Sequence, residues 1–284
     1  MNTRLENNAY GKNAINLSKI IRHADRHEIR HISVNVSLQG EFEAAHTRGD
    51  NTSILPTDTM KNTVYALAKD HFSHSIEAFG LHLSDHFLSR NPQVQEVRIE
   101  LTEFCWQRIM IDGQPHPHSF LNGGSEKHTA AITRNRQDTR VTSGIRDLLI
   151  LKTTDSGFEN YIKDAYTTLK ETSDRIFSTQ CEASWLYNSH SLDFTGLYDG
   201  IRNDLLQTFA THKSLSVQHT LYAMGEQVLN TFPAVTEISL KMPNKHHILC
   251  NLQPFGMDNR NEVFIATDEP YGYITGTVVR DAGK

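Results

Sequence analysis

Apolar and polar residues alternate from His31 to Leu38, with Ile32, Val34, Val36 and Leu38 on one side and His31, Ser33, Asn35 and Ser37 on the other. A period of two marks a strand with one buried and one wet face. With a turn near Asp25 to Glu28, residues 15–47 read as a hairpin. The period then changes to that of helices over 58–70 and 74–90. In the second of these, Ile76, Phe79, Leu83, Phe87 and Leu88 form one apolar stripe. Alternation returns in NPQVQEVRIELTEFCWQRI, where Val97, Ile99 and Leu101 share a face. After the turn DGQPHPHS, one or two further strands run to Ile150.

The second half follows the same order. LLILKTTDSGF and RIFSTQCEASWLY are strand-like, and Phe194, Leu197, Ile201, Leu205 and Phe209 make a helical stripe. A second helix carries Val217, Leu221, Met224 and Val228, with Ser216 placed to cap it. It runs into NTFPAVTEISLKM, which aligns with SRNPQVQEVRIEL: Pro92 with Pro233, Val94 with Val235, Glu96 with Glu237, Val97 with Ile238, Ile99 with Leu240. These matches predict a duplicated β-β-α-α-β-β unit, an α+β chain with two antiparallel sheets and helices on one face of each. The expected domains are residues 1–146 and 147–284. Such sheets keep open edges and an uncovered face, so association between chains is expected.

Composition narrows the classes. The 284 residues are 38% hydrophobic and 21% charged, which fits a globular chain. No apolar run approaches the roughly 18 residues that span a bilayer, and no leader or address is evident at either end. A cytoplasmic location without a membrane partner is the expectation. The net charge is −5 with no lysine or arginine block, which argues against nucleic acid as a partner. Cys105, Cys181 and Cys250 are odd in number and far apart, so reduced thiols are expected. His116 and His118 have the spacing of a metal pair on a strand, but no third ligand lies nearby and no metal is expected. Dinucleotide, nucleotide and haem motifs are all missing, so no organic cofactor is expected either.

Polar residues gather instead in YGKN (Tyr10 to Asn13), PTDTMKNT (Pro56 to Thr63), TTDSGFENYIKDAYTTL, DRI (Asp174 to Ile176), SVQHT (Ser216 to Thr220) and MPNKHH (Met242 to His247). Singly each has an ordinary reading: Thr57 or Asp58 as a helix cap, Arg175 as an ion-pair partner, Asn244 and His246 as a turn. Together, and in this order, they resemble the urate oxidase (uricase) family over nearly the whole chain. The terminal PYGYITGTVVR belongs to the same signature.

The resemblance implies the tunnelling fold, two tandem β-β-α-α-β-β domains per chain assembling as a homotetramer with active sites between subunits. It implies that Lys12 and Thr57 form a catalytic dyad and that His246 joins their proton relay. Phe158 would be the aromatic on which the purine stacks, Arg175 and Gln218 would grip its edge, and Val217 and Asp58 would offer backbone contacts. Asn244 would hold the oxygen or water. Thr57 and Asp58 would come from a neighbouring subunit. The implied partners are urate, O2 and water, with no cofactor and no metal.

The residue types suit that chemistry. Urate is flat with a polar rim, which an aromatic face, a guanidinium and an amide can match. A lysine base needs a depressed pKa, and a threonine hydroxyl can donate and accept at once. Two other readings remain at this level: a zinc-dependent pterin enzyme of the same fold using His116 and His118, and a purine-binding oligomer without catalysis.

Overall fold

The computed structural model describes residues 3–72 and 74–281. The chain divides into two compact units. The first comprises Met1–Gly144 with Leu186–Tyr198, the second Ile145–Trp185 with Asp199–Lys284.

In the first unit β1 (Tyr10–Arg22), β2 (His27–Gly40), β3 (Val94–Ile111) and β4 (Gln114–Asn135) lie in sequence order, each antiparallel to the next. Between β2 and β3 come α1 (Glu43–Arg48), α2 (Thr57–His71) and α3 (Ile76–Arg90). The alternation that predicted β2 is its burial pattern: Ile32, Val34, Val36 and Leu38 are fully buried and the residues between them are not. They pack with Val97, Ile99 and Leu101 of β3, Met60 and Val64 of α2, and Phe79, Leu83 and Phe87 of α3 in one core.

In the second unit the order is β5 (Thr139–Lys152, shared with the first unit), β6 (Phe177–Tyr187), β7 (Val235–Lys241), then β10 (Thr275–Val279). β8 (Asn244–Leu249) pairs with β6 and with β9 (Phe264–Gly272). The helices are α4 (Phe194–Thr211) and α5 (Val217–Thr231). Ile201, Leu205 and Phe209 of α4 and Met224 and Val228 of α5 are buried, as are Ile238 and Leu240 of β7.

The duplication reaches further than the matched strands. Ser75 and Ser216 each cap a helix of 15 residues, accepting from the N–H of Ala78 at 3.0 Å and of His219 at 3.1 Å. Each helix then passes a proline turn closed by a backbone bond of 3.0 Å, Val94 N–H to Asn91 O in one copy and Val235 N–H to Phe232 O in the other.

Some elements depart from expectation. The turn after β3 is only Asp112 and Gly113, both at positive φ (50° and 77°), so His116 and His118 lie within β4. The strand expected to run through LLILKTTDSGF stops at Lys152, because Asp155 takes a φ of 58° and turns the backbone away. α1 was not anticipated, and after β7 the duplicated unit called for one further strand where three, β8 to β10, are found. They are short, and their apolar residues are too exposed to give a clear period.

Candidate active site

The first unit carries Lys12, Thr57 and Asp58. Thr57 opens α2, but neither it nor Asp58 caps the helix: the cap position is Pro56, extended at φ −56° and ψ 137°, with no side-chain bond. Proline suits a helix entry because its fixed φ continues into the first turn and its missing N–H is not needed there. The Asp58 carboxylate accepts instead from the ammonium of Lys61 and from Asn62 Nδ2 at 3.0 Å. The hydrogen bond and charge of Lys61 hold its pKa below the ordinary value, and the charge of Lys12 adds to this. Lys12 is half-buried on β1, opposite Val36. Just before it, the Tyr10 hydroxyl accepts from the Leu55 N–H at 2.9 Å, tying β1 to the chain that enters α2.

The second unit carries Phe158, Arg175, Val217, Gln218, Asn244 and His246. Three segments are laced together around the first four. The Gly157 N–H donates to Ser214 O at 2.8 Å, the Ser214 N–H to Asp155 O at 2.9 Å, and Phe158 and Thr172 exchange backbone bonds of 2.7 and 3.2 Å. Thr154 Oγ1 donates to Asp174 Oδ2 at 2.9 Å. The segment of Phe158, the approach to Arg175 and the lead-in to α5 are thus one framework. Val217 and Gln218 follow the Ser216 cap, Val217 buried and Gln218 exposed.

Within that framework the guanidinium carbon of Arg175 lies 5.3 Å from the centre of the Phe158 ring. Arg175 is half-buried, and among the described residues no carboxylate pairs with it. Burial pulls its pKa below the ordinary value, although a guanidinium remains charged. The ring of Tyr161 stacks on Phe158 at 4.8 Å and 13°, covering one face, with its hydroxyl fixed to Leu169 O at 2.6 Å. On β8, Asn244 Nδ2 and His246 Nδ1 are 3.5 Å apart, and Asn244 pairs with Thr179 of β6 and Gly272 of β9. Asn244 thereby sits where two strand ladders meet.

The uricase family model matches residues 8–133 and 141–275 of the chain. The chain belongs to the uricase family. It is 44% identical over 280 residues to a uricase of Arthrobacter globiformis, covering 99% of this chain and 91% of that one. It is 38% identical to the uricase of Oryctolagus cuniculus over 278 residues, covering 95% and 93%. The crystal structure of the Arthrobacter globiformis uricase superposes with a TM-score of 0.94 over 100% of this chain and 97% of that one. A Bacillus sp. TB-90 urate oxidase at 22% identity shares the fold, with a TM-score of 0.83.

Several residues that build this framework were given no role by the sequence. Thr154, Tyr161 and Asp174 lie inside the strings that carry the resemblance and Ser214 lies outside them, yet all four hold the segments of Phe158 and Arg175 in place, and no spacing rule would single them out. His116 and His118 lie together, ring centres 4.5 Å apart. Among the described residues no three His, Cys, Asp or Glu side chains gather as a metal site requires.

Proposed function

We propose that this member of the uricase family oxidises urate with O2 and water to 5-hydroxyisourate and hydrogen peroxide, as a cytoplasmic homotetramer. The observation that carries the substrate assignment is Arg175: a half-buried, unpaired cation held against an aromatic ring. A desolvated positive charge without a carboxylate is costly unless an anion completes it. A flat anion with a polar rim meets both demands, stacking on Phe158 while its edge accepts from Arg175 and Gln218.

Lys12 takes a proton from bound urate, with Thr57 as the relay between them and His246 completing it. The resulting dianion is electron-rich enough to reduce O2. The oxygen adduct loses hydrogen peroxide, and water adds at the same carbon, so that urate, O2 and H2O balance 5-hydroxyisourate and H2O2. Asn244 holds first the oxygen and then the water by hydrogen bonds. Lys12 and Thr57, both carried on the first unit, are read as coming from one subunit. They serve a stacking site supplied by another.

The test is loss of urate ultraviolet absorbance alongside oxygen uptake in purified, chelator-treated protein. One-to-one consumption is the expected result. Urate binding without oxygen uptake would leave a binding protein, and activity that needs added zinc and a pterin would overturn the assignment.

A further inference from the structure

We propose that Asn35 is a positioning residue for Lys12, acting through a bulge in β1 at Asn13 and Ala14; the proposal rests on the reading of Lys12 as the base. In an antiparallel pair, directly opposed residues point to the same face of the sheet. Tyr10 opposes Leu38 and Lys12 opposes Val36, while further along Ile15 opposes Val34 and Leu17 opposes Ile32. On β2 these positions are two apart throughout, and all four side chains are buried beneath the helices. On β1 the step from Lys12 to Ile15 is three. Two residues, Asn13 and Ala14, therefore stand against one, Asn35.

The extra residue decides where Lys12 points. A regular strand that kept Ile15 and Leu17 in the core would turn Lys12 and Tyr10 to the opposite face. Both arms of β1 are anchored on the helical side. Tyr10 meets the Leu55 N–H and sets its ring edge-on to Phe42 at 4.7 Å. Lys19 donates to the carbonyls of Ala68 and Lys69 near the end of α2, at 2.9 and 2.8 Å. Only the bulge reconciles the two arms, and it puts the Lys12 ammonium on the side of Thr57 and Asp58.

Asn35 and the neighbouring backbone hold the bulge. Ala14 takes a φ of 55°, a left-handed conformation unfavourable for a residue with a Cβ. Its N–H, displaced from the regular ladder, donates to Asn35 Oδ1 at 2.8 Å. Gly11, one residue before Lys12, crosses so near the Val36 carbonyl that a Cβ would collide with it. Asn35 lies on the wet face of β2, away from the helices, and its side-chain amide also reaches Glu100 Oε2 at 3.5 Å.

The experiment compares Asn35→Ala, Ala14→Val and Lys12→Met with wild type in urate-dependent oxygen uptake, alongside thermal unfolding. Asn35→Ala and Ala14→Val should each lower kcat about tenfold or more with KM held within about twofold, as for a displaced catalytic group. Adding Ala14→Gly to Asn35→Ala should restore most of kcat, because glycine takes a positive φ without penalty. Wild-type kcat in both single variants would overturn the proposal, as would a KM that rises in step or a failure of Ala14→Gly to restore. Should Asn35→Ala not fold, Ala14→Val carries the test alone, since Ala14 is exposed. Full activity in Lys12→Met would instead overturn the reading of Lys12 on which the proposal stands.

Discussion

His128 Nε2 lies 2.8 Å from Glu77 Oε1 at a point that solvent does not reach. The same carboxylate accepts from Ser143 Oγ, and on its other side His128 Nδ1 is 3.7 Å from Glu103, which Arg30 grips. The ring of Tyr198 stacks on His128 at 3.6 Å. Glu77 is the second residue after the capping Ser75, the position Gln218 holds after Ser216. One copy of the duplicated unit thus buries this position in its core and the other leaves it exposed.

This cluster should make stability depend on pH. Burial alone would lower the pKa of His128, but the carboxylates of Glu77 and Glu103 outweigh it and raise the value above the usual 6.5. A raised pKa in the folded state means that the contribution is complete below about 6.5, where the unfolded histidine is also protonated. It is lost as pH climbs through the raised value. The melting temperature should therefore fall across that span, and His128→Gln should abolish the trend and cost about 3 kcal/mol by stranding a buried carboxylate. A flat profile in wild type would contradict the account. Glu103 acts at the other end: burial opposes its ionisation, hydrogen bonds from His128 and Arg30 prevail, and its lowered pKa costs stability only as pH falls through that value.

Arg175→Ala should weaken binding more than turnover, because the guanidinium is expected to hold ground state and transition state alike. Losing a charge-assisted contact of about 1.5–3 kcal/mol corresponds to a rise in KM of roughly 10- to 100-fold. Steady-state kinetics in urate would show it. A kcat that collapsed with KM unchanged would place Arg175 in the chemical step instead.

Lys12→Met and Thr57→Ala should have the opposite signature. Turnover should drop about 100-fold or more, the scale of a lost general base, while equilibrium binding of a urate analogue changes little. Unchanged turnover in both would remove the dyad from the mechanism.

Ser216→Ala should lower stability by about 1 kcal/mol through the lost cap. Since Val217 and Gln218 are the next two residues, KM should also rise. The matching Ser75→Ala should give a similar loss of stability without a change in KM. Comparing the two by thermal melts and kinetics separates the structural role shared by both copies from the recognition role of one.

Where burial and periodicity coincide, the sequence was readable. The stripe in α3 and the alternation of β2 are direct images of the faces they bury. The family was legible as an ordered set of short strings, because chemistry constrains residue type there more than helix or strand propensity does. Geometry that depends on one backbone torsion was not. The bulge at Ala14 shows in the sequence only as a shift of parity between Tyr10 and Ile15, and the arrest of β5 depends on the φ of Asp155. Thr57 and Asp58 were misread as caps because both side chains favour that role, whereas Pro56 takes it here and leaves Asp58 to Lys61 and Asn62.

The most direct test of a site built from Lys12 and Thr57 of one subunit and Phe158, Arg175 and Gln218 of another is complementation. Lys12→Met and Arg175→Ala chains would be coexpressed with different tags, and urate oxidation measured in oligomers carrying both, at urate concentrations low enough that the raised KM of Arg175→Ala leaves that chain alone strongly impaired. Sites shared between subunits predict a substantial recovery, since some pairs combine an intact Lys12 with an intact Arg175. No recovery in verified mixed oligomers would contradict the account.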